Sequence, residues 1–356
     1  MKNWENNIRR VVPYVPGEQP KFSNIIKLNT NENPYPPSPK VKEALKQLDT
    51  ADLRLYPDPA CEDLVNAIAA YYGLAPEQVF VGVGSDDVLA MTFMTCFNSQ
   101  KPILFPDITY SFYDVWADML RIPYTQIPLA DDFTIRKEDY YRENGGIVFP
   151  NPNAPTGEEL AQEDIEDIVR HNPDSVVIVD EAYVDFGAVS ALPLIEKYDN
   201  VLIVQTFSKS RSLAGMRIGF AMGNPKLISY INDVKYSFNS YTMDRTALTA
   251  GKASIEDKAY FDETVQKVVD VREWTKKELK RLGFVFGDSK ANFIFAGHPD
   301  YPAAELFAAL REEHIIVRYF NKPRINNFLR ISVGTREEMQ KLIDFLEKYC
   351  KKKIGV

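Results

Sequence analysis

In the stretch TFSKSRSLAGMRIGF, from Thr206 to Phe220, a lone lysine, Lys209, stands among small hydroxyl residues at the end of an apolar run. Arg217 follows eight positions on. A lysine becomes a nucleophile when its amine is neutral, and burial and nearby positive charge both favour that form. Such an amine condenses with a carbonyl ligand. An isolated strand-end lysine ordinarily snorkels to solvent, but these neighbours shift the balance. Thr206, Ser208 and Arg217 supply hydroxyl and guanidinium donors suited to a phosphate.

Other polar groups follow apolar runs in the same way. Asp180 ends SVVIVD, and a carboxylate buried there needs a cationic partner. A protonated pyridine nitrogen is one such partner; a helix cap or a magnesium ligand is the plainer reading. Tyr183, three residues on, can donate to a phenolate oxygen, and Tyr110, in PDITYS, can stack on a flat ring. After VFVGV, Ser85 is placed as the N-cap of a helix whose backbone N–H groups and dipole favour an anion. The side chains of Asp86 and Asp87 are expected to point away from that anion, which they would repel. By themselves, Asn153 reads as turn chemistry and Arg330 as a surface ion pair.

These groups need a scaffold that gathers strand ends. VFVGVG (79–84), PILFP (102–106), IPYTQIP (122–128), GIVFPNP (146–152), SVVIVDEAY (175–183) and VLIVQTFSK (201–209) read as strands with amphipathic stretches between them. SVVIVD and VLIVQTF carry the continuously apolar runs VVIV and VLIV, as expected of strands covered on both faces. The pattern is α/β with a mostly parallel sheet, which binds ligands at the carboxyl ends of its strands. Residues 1–45 are rich in Pro and Asn and read as an extended N-terminal arm that also completes part of a small domain, with a helix beginning at Ser38. Residues 46–245 form the large domain and 246–283 a helical connection, where Asp244 to Leu282 reads as one helix or a pair. Residues 284–356, with ANFIFAG, IIVRYF, FLRISVG and a terminal helix, form a smaller α+β domain.

Composition narrows the partners. A net charge of -8, spread along the chain of 356 residues, argues against nucleic acid. Three widely spaced cysteines and three histidines without metal-ligand spacing argue against disulfides and a metal centre and suit a reducing cytoplasm. The start, MKNWENNIRR, lacks an apolar signal core, and the best apolar run, VLAMTFMTCF, is too short to span a membrane.

Taken together, KLNTNENPYPPS, LRLYPDP, VGVGSDD, PDITYSFY, NPNAPTG, VDEAYVDF, TFSKSRSLAGMRIGF, ANFIF and FLRISVGTREE cover nearly the whole chain. The set resembles the fold-type I pyridoxal-phosphate enzymes, specifically the histidinol-phosphate aminotransferase group of the class I/II aminotransferases. The resemblance implies roles. Lys209 would link covalently to the cofactor aldehyde and shuttle a proton. Asp180 would keep the pyridine nitrogen protonated, Tyr183 would bond the ring's O3′ oxygen, and Tyr110 would stack on the ring. Ser85, Asp86 (through its backbone), Thr206, Ser208 and Arg217 would hold the cofactor phosphate. Tyr56 would reach the cofactor phosphate of a second subunit in a homodimer. Arg330 would bind the carboxylate of glutamate or 2-oxoglutarate, and Arg318, Arg330 and Tyr14 would meet the phosphate of histidinol phosphate. Many relatives carry asparagine directly before P-T-G; here that position is Ala154, and Asn153 is expected to take over its contact with the cofactor. Aromatic aminotransferases and threonine-phosphate decarboxylases share the motif set. A non-catalytic cofactor-binding regulator is a more remote reading. V-G-V-G-S-D-D is not G-x-G-x-x-G, which disfavours a nucleotide-binding dehydrogenase.

Overall fold

The structure is a computed structural model and describes residues 3–21 and 24–354. The arm has no regular structure from residue 9 to 21, where Pro13, Pro16 and Pro20 interrupt any helix. It is ordered by other surfaces. Arg9 Nη1 donates to the Met119 carbonyl at 2.7 Å, Asn29 Nδ2 donates to the Glu18 carbonyl at 2.8 Å, and Glu18 pairs with Arg311. The arm then forms strand β1 (Ile26–Leu28) and, after NENPYPPS, helix α1 (Pro39–Lys46), capped by the Ser38 side chain.

Alternation follows: α2 (Glu62–Tyr72), β2 (Val79–Gly82), α3 (Gly84–Cys96), β3 (Ile103–Pro106), α4 (Tyr113–Leu120), β4 (Tyr124–Ile127), β5 (Ile147–Pro150), α5 (Gln162–His171), β6 (Val177–Asp180), β7 (Val201–Thr206), β8 (Gly219–Gly223) and α6 (Pro225–Phe238). The sheet order is β2-β8-β7-β6-β5-β3-β4. Only β8 runs against its neighbours. The apolar runs are explained by burial on both faces. Val177, Val179, Val201 and Ile203 pack into one core, and Ile178, Leu202 and Val204 into the core on the opposite face. All seven are fully buried, each contributing about 1.5–3 kcal/mol relative to exposure.

Helices α7 (Arg245–Ile255) and α8 (Lys258–Arg281) form the connection as a pair, broken at Glu256 and Asp257. The smaller domain holds β9 (Val285–Phe286), β10 (Phe293–Gly297), α9 (Ala303–Glu312), β11 (Ile315–Tyr319), β12 (Phe328–Ser332) and α10 (Arg336–Ile354). Its sheet order is β1-β11-β12-β10-β9, with β1 parallel to β11 and the other pairs antiparallel.

Two expectations need correction. Strand β8 is not among the strands read from the sequence; its glycines weaken the strand signal. Helix α3 begins at Gly84 with Val83 at the cap position, so Ser85 lies inside the first turn and is not the N-cap.

Candidate active site

Register brings the strand ends together. Pro150, Asp180 and Val204 lie side by side across β5, β6 and β7, and Gly219 of β8 faces Thr206 on one side and Gly82 on the other. Lys209 follows β7 and is held in a braced loop. Phe207 is fully buried, and its carbonyl accepts from Leu213 N at 3.0 Å. Ser210 donates to half-buried Asp185 at 2.5 Å. The Arg211 guanidinium packs over the rings of Phe261, Tyr71 and Phe207 at 4.1, 4.9 and 5.4 Å. Between these anchors the Lys209 amine donates to the Thr30 carbonyl at 3.2 Å, 5.8 Å from the Tyr183 ring centre.

Asp180 is buried at the end of β6, on the Ile178 side of the sheet. It accepts from the Tyr113 hydroxyl at 2.9 Å and from Ala182 N at 3.3 Å. Both donors are neutral. Burial pushes its carboxyl up to about 6, against the pull of those two bonds. Glu181 faces the other side, where Ser190 and Gln205 donate to it at 2.7 and 2.9 Å, and burial pushes it up to about 7. Tyr113 was not among the expected site residues. It lies inside PDITYSFY, three residues beyond Tyr110, and opens α4, from where its hydroxyl reaches Asp180.

The first turn of α3 forms a cradle. Gly84 has φ +82°, a conformation that favours glycine, and a Cβ there would strike the Arg217 guanidinium. A Cβ on Gly219 would overlap the Gly84 carbonyl carbon and the Ser85 nitrogen. Thr206 donates to Ser208 at 3.0 Å, and Arg217 Nη1 lies 3.5 Å from the Ser208 hydroxyl. Ser85, Thr206, Ser208, Arg217, Tyr110 and Asp180 thus share one cavity with Lys209. The expectation for Asp87 is met, since its carboxylate turns back to Val83 N at 2.9 Å. That for Asp86 is overturned. Its side chain faces the cavity, accepting from the Tyr110 hydroxyl at 2.6 Å and from Arg217 at 3.3 Å. These two donors offset the repulsion on which the expectation rested.

On the other side of Lys209 an adjoining cavity carries Tyr14, Arg318 and Arg330. The arginines are paired across β11 and β12. Arg330 Nη2 donates to the Asn29 carbonyl at 3.0 Å, while its buried Nε has no partner among the described residues. Tyr14 stacks on Phe112 with centres 4.1 Å apart. Tyr183 receives a bond from Asn31 Nδ2 at 3.0 Å.

One expected contact is not gathered here, and one residue expected to serve a second subunit stands apart. Asn153 is buried, and its amide is spent on the Ile108 carbonyl, Thr156 and Thr109 at 2.9–3.0 Å. It braces the turn, while Ala154 lines the cavity. Tyr56 lies outside both cavities of its own chain, 78% exposed and stacked on Tyr241 at 4.7 Å.

Residues 23–346 match the family described as aminotransferase class I and II. The chain is 54% identical over 345 residues to histidinol-phosphate aminotransferase 1 of Methylococcus capsulatus, covering 97% of each. It is 51% identical over 351 residues to the Lactococcus lactis histidinol-phosphate aminotransferase, covering 99% of each. The chain belongs to the class I/II aminotransferases. Solved aminotransferases share its fold. The histidinol-phosphate aminotransferase of Clostridium acetobutylicum superposes with a TM-score of 0.84 at 20% identity, over 92% of this chain and all of that one. The Sinorhizobium meliloti enzyme, solved with pyridoxal-5′-phosphate, gives 0.83 at 23%, over 92% and 91%.

The site of this aminotransferase fits pyridoxal phosphate on its own chemistry. A buried carboxylate held by neutral donors suits a protonated ring nitrogen. The glycine-lined turn at α3, with Arg217 beside it, suits a phosphate. Lys209 lies between them and the arginine rim. Among the described residues no cluster of three or more metal-ligating side chains occurs, and no helix is long and apolar enough to cross a membrane.

Proposed function

We propose that this aminotransferase moves an amino group between histidinol phosphate and 2-oxoglutarate with pyridoxal phosphate. The observation that carries the substrate choice is the arginine rim. Arg318 and Arg330 stand in register on adjacent strands, beside Lys209, and no ion pair among the described residues includes either. Paired guanidinium groups beside the reacting amine suit anionic substrates, carboxylate and phosphate alike. One rim thereby serves both partners of a two-step exchange. The full-length identity to histidinol-phosphate aminotransferases supports the same reading.

When bound, pyridoxal phosphate supplies an electron sink for the pair left as a proton departs the amino acid's α-carbon. Asp180 would hold the ring nitrogen in its charged form, with Tyr113 fixing the carboxylate. Tyr110 would cover the ring face, tethered by Asp86. Ser85, Thr206, Ser208 and Arg217 would grip the phosphate. Lys209, reaching across the cavity, takes and returns the α-proton. Arg330 anchors the substrate carboxylate and orients the bond that breaks.

Tyr56 fits a role in a homodimer. It is exposed beside Leu53, Leu55 and Tyr241, an apolar surface that a second copy would cover. A cytoplasmic location suits three free cysteines. Half-reaction rates with histidinol phosphate, phenylalanine and threonine phosphate test the substrate. Histidinol phosphate is expected to react fastest. A clear preference for phenylalanine, or decarboxylation of threonine phosphate, would overturn the choice.

A further inference from the structure

The motif KLNTNENPYPPS has so far no chemical role. Its loop, Asn29 to Asn33, nevertheless touches the reactive groups at almost every position. The Asn29 carbonyl receives Arg330, the Thr30 carbonyl receives the Lys209 amine, and the Asn31 amide donates to Tyr183. Asn33 Nδ2 donates to the carbonyls of Lys209 and Ser210, both at 3.1 Å. The loop therefore grips Lys209 twice, by its main chain and by its amine.

Glu32 is the remaining member. Its carboxylate pairs with Lys27 and accepts from the Thr30 hydroxyl at 2.8 Å, and it shares the Lys209 cavity. Lys27 also donates to the Thr30 hydroxyl at 2.9 Å, closing a small ring of bonds around the residue whose carbonyl meets the amine.

We propose that Glu32 is a positioning residue for Lys209: it fixes the Thr30 loop whose carbonyl receives the amine, and its charge steadies the ammonium that forms once Lys209 has taken the α-proton. The inference rests on Lys209 being the reactive amine. A proton shuttle must retain the α-proton between its removal and its return, and must not drift from the cavity. The other charges facing Lys209 do this less well. Asp86, at the start of α3, is engaged by Arg217 and Tyr110. Asp180, on β6, is pushed toward its neutral form by burial and belongs to the ring nitrogen. Glu32 stays ionised: burial raises it, but the bonds from Lys27 and Thr30, with the charges of Lys27 and Lys209, outweigh that and hold it below the usual carboxylate range.

The test is competitive acetylation of lysines by acetic anhydride across pH, on the full chain stripped of cofactor, with the Lys209 peptide quantified by mass spectrometry. Glu32→Gln keeps the acceptor for the Thr30 hydroxyl and removes the charge. The expected result is labelling of Lys209 roughly 3- to 10-fold faster at pH 8, with its profile displaced to lower pH. Lys27→Met frees Glu32 of its competing ammonium, so Lys209 should label more slowly. A merely structural role for Glu32 would shift all lysines or none. Unchanged Lys209 profiles in both folded variants would overturn this inference alone. A visible cofactor band that persists in Lys209→Ala would overturn the underlying reading and this inference with it.

Discussion

Replacing Asp180 by asparagine should stabilise the cofactor-free protein at neutral pH while removing its activity. The magnitude follows from burial. The carboxyl is raised from 3.8 to about 6, roughly 2 units, which is about 3 kcal/mol. Between those values the folded chain binds more protons than the unfolded one. Stability therefore falls as pH rises through the window, and the full cost is present above pH 6. Asparagine carries no charge and escapes that cost. It keeps one acceptor oxygen, so either the Tyr113 hydroxyl or Ala182 N–H loses its partner, at about 1 kcal/mol. The net expectation is a variant more stable by about 2 kcal/mol above pH 6, with the difference closing to about zero near pH 4.5. Glu181, raised to about 7, titrates in both proteins and cancels in the difference. Urea midpoints of both stripped proteins, measured from pH 4.5 to 8, read this directly. Added pyridoxal phosphate should favour the parent, whose carboxylate then gains a cation, and the loaded variant should lose at least ~100-fold in turnover. Parallel stability profiles of the two proteins would refute the claim that Asp180 is held at an electrostatic cost for the cofactor.

Gly219→Ala puts a methyl into the Gly84–Ser85 backbone; we expect at least a ~10-fold loss of cofactor affinity and a destabilisation of about 1–3 kcal/mol, read by fluorescence titration and urea melts. Normal affinity would show that the cradle is not a phosphate site. Arg330→Lys keeps the charge but loses the planar fork; KM for glutamate should rise at least ~30-fold, or about 2 kcal/mol, with the visible cofactor spectrum unchanged. An unaltered KM would detach the rim from the carboxylate.

Much of the site is legible in the sequence for a physical reason. Parallel strands buried on both faces read as unbroken apolar runs, so the first polar residue after each run marks the strand end. That rule places Asp180, Thr206 and Lys209 where the structure has them. It fails where long-range partners decide. Asp86 turns inward because Arg217, 131 residues away, and Tyr110 receive it. Asn153 turns away because the loop at Ile108 and Thr109 takes its amide. The start of α3 depends on the positive φ of Gly84, which a serine preference does not signal. The loop around Thr30 has no local signature, since its partners Lys209 and Arg330 lie 179 and about 300 residues on. Tyr113 lies inside PDITYSFY, but its bond to Asp180, 67 residues on, has no local signal.

The central claim is that one amine, that of Lys209, carries the cofactor. Loading the protein with pyridoxal phosphate, reducing it with borohydride and sequencing its peptides tests this most directly. The account predicts a loss of the visible band and a single modified peptide, altered at Lys209. A reduced adduct on any other lysine, or none at all, would contradict it.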